Sequence, residues 1–201
     1  MQFHVRLIDD PAASEIRFQG REAHWSYLDD HADHFIGRGP TFLEPNQFLS
    51  TVFFLDFADW DAVNQFLANE PHNRNGVYKD IKVWRWKDEL GRRQRHFPRR
   101  EDQSVWYLRG FAKPGAHQAW QDLKAAHNEY CASHDATDFV VRGSIFDDAG
   151  EVWQGTAALI ALPDRNAIDA FLESEPFHRH WLFEDYLIQR FKFGGRPGQV
   201  T

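Results

Sequence analysis

The chain has 201 residues, 42% hydrophobic, 15% aromatic and 26% charged, a balance that suits a packed globular protein and argues against disorder. Its formal charge of −7 and pI near 5.8 provide no long-range attraction to phosphate backbones or anionic membranes, so neither nucleic acid nor a membrane is an expected partner. One cysteine, Cys131, cannot close an internal disulfide, and no apolar run is long enough for a leader or a span, which together predict a cytoplasmic protein.

The segment FHVRLID (3–9) reads as a strand closed by Asp10-Pro11. From Ala13 to Phe35, residues Ile16, Ala23, Tyr27, Leu28 and Phe35 fall at helical spacing, and Gly37 and Gly39 supply the stop. Two strands, GRGPTFLEP and FLSTVFFLDF, follow, joined by a turn at Pro45-Asn46. Asp59 is the expected N-cap of a shorter helix that ends at Pro71, and VYKDIKVWRWK (77–87) is the closing strand. The charged stretch 88–103 has no apolar period and is read as a linker. Beyond it come the strand SVWYLRGFA, a helix from Ala116 to His134, two strands around a turn at Asp147, Asp148 and Gly150, the helix RNAIDAFLESEP and the strand FEDYLIQRFKF. The segment 194–201 is expected to be a flexible tail.

The second half repeats the first. AVNQFLANEP (62–71) matches AIDAFLESEP (167–176) at an offset of 105, and HWSYLDDH (24–31) faces HNEYCASH (127–134) at an offset of 103. Each copy has the order β-α-β-β-α-β. The predicted fold class is therefore α+β: two tandem ferredoxin-like domains, residues 1–87 and 104–193, around the linker 88–103. Both helices lie on one face of such a sheet, and Phe53, Trp84 and Trp86 imply that the other face is covered too. The other copy is the nearest cover, which predicts sheet-to-sheet packing as an intrachain pseudo-dimeric α/β barrel. Cys131 matches Leu28 of the first copy and is expected at an apolar helix position.

Arg21-Glu22-Ala23-His24, Gly39-Pro40, Glu70-Pro71, Gly76-Val77-Tyr78 and Trp86-Lys87, in this order, resemble a YCII-related domain. The second copy keeps His127, Gly143, Glu175-Pro176-Phe177 and Phe191-Lys192, with Ser144 in place of the proline and Trp181 in place of Gly76. The resemblance implies a dimeric α/β barrel and a histidine paired with an aspartate in a pocket. It further implies action on small cyclic or aromatic compounds, as in dehydrochlorination of hydroquinones. Both copies carry glutamate where the family favours aspartate.

A carboxylate on one imidazole nitrogen fixes the tautomer and leaves the other nitrogen free to take a proton near neutral pH. His24 with Glu70, and His127 with Glu175, are accordingly the expected catalytic pairs. Arg21 is expected to hold an anionic oxygen, Tyr78 to orient a ring, and His72 and Trp84 to line the pocket. The histidine spacings, 24 to 31, 31 to 34 and 178 to 180, give no third ligand, so no metal is expected; no haem or flavin motif is present and no cofactor is expected. The expected function is cofactor-independent acid–base chemistry of isomerase, lyase or dehydrohalogenase type on a cyclic or aromatic metabolite. A non-catalytic ligand-binding or assembly module is the alternative, and a homodimer is compatible with either.

Overall fold

The computed structural model describes residues 1–44 and 47–201, so the expected Pro45-Asn46 turn lies outside the described residues. The chain divides into two compact units, Met1–Trp84 with Lys192–Thr201, and Arg85–Phe191.

In the first unit β1 (Gln2–Asp9) leads to the short helix α1 (Ser14–Gln19) and to α2 (Arg21–Asp30). After them come β2 (Phe35–Phe42), β3 (Phe48–Asp56), α3 (Trp60–Asn69), the one-turn helix α4 (Pro71–Arg74) and β4 (Tyr78–Asp88), whose residues 85–88 belong to the second unit. The single helix expected from Ala13 to Phe35 is thus broken. Gly20 closes α1, its N–H bonding back to Ile16 and Phe18, and its Cα lies so close to His72 that a Cβ there would meet the ring nitrogen at 3.2 Å. The strand order is β4-β1-β3-β2, with Val5 and Arg38 both paired to Phe53 across antiparallel ladders.

One face of this sheet carries Phe3, Val5, Leu7, Phe53 and Leu55, packed against Leu28 of α2 and against Val63, Phe66 and Leu67 of α3. The three α3 residues sit at i, i+3 and i+4, the stripe a core-facing helix needs, and each fully buried side chain of this size contributes about 1.5–3 kcal/mol. Phe53 therefore lies on the helix side of the sheet, not on the face to which the sequence reading assigned it. The opposite face carries His4 and Phe54, both fully buried.

The second unit repeats the order with β5 (Ser104–Ala112), α5 (His117–Asp135), β6 (Phe139–Phe146), β7 (Trp153–Leu162), α6 (Arg165–Ser174), α7 (Pro176–Arg179) and β8 (Phe183–Phe191). The strands run β8-β5-β7-β6, and residues 85–88 extend the sheet beside β6, Trp86 opposite Ile145. Trp106, Leu108, Phe139 and Ile160 pack against Cys131 of α5 and Ile168, Phe171 and Leu172 of α6. Asp147 accepts the N–H of Gly150, which takes φ of +80°, so the expected turn forms there.

Two connecting segments differ from expectation. Residues 88–103, read as a solvated linker, are exposed over much of their length but not throughout: Gln94 and Phe97 are buried, and Arg92 donates to the carbonyls of Asp135 (2.9 Å) and Phe139. The segment 194–201 is not free either. Gly194 N donates to Arg38 O (2.9 Å), Arg196 reaches Glu22 (2.6 Å), Ser26 (2.9 Å) and Asp29, and Gln199 donates to Asp29 (3.0 Å). Polar residues with no apolar period gave no hint of these partners, because most of the contacts are hydrogen bonds rather than packing. No helix among the described residues is long and apolar enough to cross a membrane.

Candidate active site

Glu70 is placed by local sequence alone. It is the extended residue between α3 and α4, and Pro71 behind it starts a helix whose first N–H groups need acceptors. The Glu70 carboxylate caps that turn, accepting from His72 N (3.1 Å) and Asn73 N (2.9 Å). Its Oε1 lies 2.6 Å from His24 Nδ1, which α2 brings in from the other side. Both carboxylate oxygens already accept backbone N–H groups, so the imidazole donates in this contact and Nδ1 carries the proton. His24 Nε2 makes no hydrogen bond among the described residues and is left as an acceptor. Burial holds the His24 pKa below its usual value, with the bond to Glu70 opposing, so the ring is neutral near pH 7.

The second unit repeats this arrangement: Glu175 accepts from Phe177 N (3.0 Å) and His178 N (2.7 Å), and its Oε1 is 2.6 Å from His127 Nδ1. Around the two pairs the units differ. In the first, Arg17 of α1 donates to Asp9 (3.1 Å) and to Thr51 Oγ1 (3.2 Å), and the Tyr78 hydroxyl donates to the same Thr51 oxygen at 3.5 Å. The Arg17 charge acts on His24, His72 and Tyr78 alike, so these groups form one polar cluster with the histidine pair. Burial pushes the Asp9 carboxyl up to about 6 although Arg17 works against it. In the second unit, seven residues before His127, stands Trp120, packed with Trp153, Phe177 and Leu182 and against Ala112 and Phe183. What is polar beside His24 is apolar there.

The structure thus brings together His24, Glu70, His72 and Tyr78 in the first unit and His127 and Glu175 in the second. His72 stacks on His24 with ring centroids 4.2 Å apart, as Phe177 stacks on His127 at 3.9 Å. Two expected residues are elsewhere. Arg21 is exposed, its guanidinium 3.9 Å above the Phe18 ring rather than beside the pair. Trp84 stacks on His4 at 5.2 Å, on the sheet face opposite the helices. Sequence reasoning missed Arg17, Asp9 and Thr51. The signal available was spacing: Arg17 precedes His24 by seven residues, two helical turns, where attention fell on the arginine one turn away.

Fold and site together define a small α+β protein with a buried histidine–glutamate pair in each unit. The family model of the YCII-related domain matches residues 1–87. Among curated proteins none matches. Among solved structures, the chain is similar to a variant chlorite dismutase from Candidatus Nitrospira defluvii, with TM-score 0.58, 9% identity, and 95% of this chain and 91% of that one covered. It is also similar to an anthrone oxidase-like protein, with TM-score 0.55, 10% identity, and coverage of 100% and 94%. A third is 5-chloro-2-hydroxyhydroquinone dehydrochlorinase from Burkholderia phenoliruptrix AC1100 in complex with 2,5-dihydroxybenzoquinone, with TM-score 0.42, 24% identity, and coverage of 46% and 99%. The neighbours are proteins of dimeric α/β-barrel fold, and at these identities the likeness is one of fold alone.

Proposed function

We propose that the first unit is the catalytic part of a small-molecule enzyme that moves protons with His24 and Glu70. The substrate class is a small cyclic or aromatic compound with an acidic O–H or C–H, and the reaction an isomerisation, elimination or dehydrohalogenation. Neutral His24 takes the substrate proton on Nε2, Glu70 stabilises the imidazolium through Nδ1–H, and Arg17 faces the oxygen on which negative charge develops. The imidazolium then returns the proton to another substrate atom, or to the group that leaves. His72 and Tyr78 supply ring faces beside the base. The observation that carries this reading is the 2.6 Å contact between His24 and a glutamate fixed by two backbone N–H groups, with the Arg17–Asp9–Thr51 cluster alongside. The two units are read as copies of one ferredoxin-like domain, and the chain as the intrachain counterpart of a dimeric α/β barrel, a reading that the fold likeness supports.

The test needs no prior substrate. Phenols, hydroquinones and lactones are incubated with the protein in deuterated water, and exchange or elimination is followed by NMR. His24→Asn should slow the reacting compound on the order of 100-fold or more, with the melting temperature within a few degrees of the parent. If the variant keeps the rate, or if no compound reacts and the substitution only lowers the melting temperature, the pair is a brace between α2 and α4. In that case the protein is the binding or assembly module.

A further inference from the structure

Residues 91–100 read GRRQRHFPRR, and in these ten positions stand five of the chain's 23 basic residues and none of its 30 acidic ones. The other 191 of its 201 residues therefore carry a formal charge of −12. All five cations are arginine. Charge alone needs no such preference, since lysine supplies it equally, whereas the planar guanidinium offers paired N–H donors that match the two oxygens of a carboxylate.

The segment is anchored on the second unit. Gln94 and Phe97 are 2% and 5% exposed, Gln94–His96 form a turn of 3-10 helix, and Arg92, bonded to the carbonyls of Asp135 and Phe139, holds its guanidinium 5.4 Å from the centre of the Phe97 ring. With Gln94 and Phe97 turned inward, Arg95, His96, Arg99 and Arg100 are exposed. Three of the four flanking acids are engaged. Asp88 accepts the N–H groups of Leu90 (3.0 Å) and Gly91 (3.2 Å), Glu89 accepts from Arg142 (3.2 Å) and Ser144 (2.7 Å), and Asp102 faces Arg100 at 3.2 Å, while Glu101 is exposed. The pair of Arg100 with Asp102 is exposed on both sides, and such pairs contribute about 0–1 kcal/mol, so an incoming carboxylate can take the place of Asp102 at little cost. A segment already fixed in place also spares its ligand part of the ordering entropy of docking.

We propose that this arginine face docks a short acidic segment of a partner protein, a run of about four to six aspartate or glutamate residues. The length of the run follows from the face. Residues 95–100 span at most about 20 Å, and the rest of the chain is acidic on balance. A nucleic acid would carry its phosphates on from the arginines towards charge of its own sign, whereas a short acidic peptide ends where the arginines do. The face shares no residue with the His24 cluster and does not rest on the reaction proposed there.

Fluorescence anisotropy of a labelled hexaglutamate peptide, titrated with the whole chain at low salt, tests it. The expected result is saturable binding that weakens at least about tenfold in the triple variant Arg95→Gln/Arg99→Gln/Arg100→Gln, with the melting temperature within a few degrees of the parent because all three side chains are exposed. A second triple variant, Lys79→Gln/Lys82→Gln/Lys124→Gln, removes the same charge from exposed positions elsewhere and should bind within about twofold of the parent. Absence of binding to the parent chain overturns the proposal, as does equal weakening in the two variants, which would trace the attraction to net charge. Tighter binding of a single-stranded oligonucleotide than of the peptide also overturns it and assigns the face to nucleic acid.

Discussion

His72 is the residue whose surroundings fit its chemistry least. Its ring does the work that Phe177 does in the second unit, stacking on the paired histidine, yet its Nδ1 is buried without a partner. Burial, reinforced by the Arg17 charge and by His24 once that ring is protonated, holds its pKa down to about 2, so it is neutral in the folded state at any working pH. A folded pKa below the unfolded value means that the unfolded chain binds the extra proton, and stability falls as pH drops below about 6.5. His72→Phe should therefore raise the unfolding free energy by about 1 kcal/mol at pH 7, from the orphaned nitrogen, and by roughly 2 kcal/mol more at pH 5. Denaturant melts at the two pH values measure this, and an equal gain at both would mean that His72 ionises in the folded chain. His24 and Glu70 were legible because their motifs recur at matched spacing in both halves. Arg17 and Asp9 were not, since their counterparts Trp120 and Ala112 share no chemistry with them and repetition drew no attention to the position.

At the scale of elements, the Glu-Pro pair needs no functional reason to make a helix start. The glutamate caps and the proline pre-sets the first turn, and α4 and α7 form alike. Replacing Glu70 or Glu175 by alanine removes two caps and leaves a buried imidazole N–H unpaired, a loss of about 3 kcal/mol in either unit by equilibrium unfolding. Only the Glu70 variant should also lose activity. A milder loss at one of the two would show that water replaces the missing carboxylate. Gly76 after α4 takes φ of +72°, and Trp181 after α7 takes φ of +58°. An L side chain pays in backbone strain there, and this one is 77% exposed, so Trp181→Gly should stabilise by about 1 kcal/mol. Strand and helix types were readable from period and caps. The break at Gly20 was not, because the apolar spacing of Ile16, Ala23 and Tyr27 runs straight across it, and the crowding that favours glycine comes in part from His72, 52 residues on in sequence, which a Cβ there would meet at 3.2 Å.

For the molecule as a whole, the order of elements followed from the repeat, but the limits of the compact units did not. Residues 192–201 belong to the first unit through bonds from Gly194, Arg196 and Gln199, and residues 85–103 lie within the second. Asp29 is the hub of the first set, accepting from Arg38, Arg196 and Gln199 at the end of the helix that carries His24. Deleting residues 194–201 should speed amide exchange in α2 and leave α5 unchanged, and because the lost bonds are largely exposed ion pairs, added salt should reproduce part of the effect in the intact chain. Equal exchange in α2 with and without the segment would make it an ornament. The same arrangement sets a timetable for synthesis. Residues 85–191 leave the ribosome before residues 192–201, so the second unit has all its parts while the first, though begun earlier, still awaits its last strap.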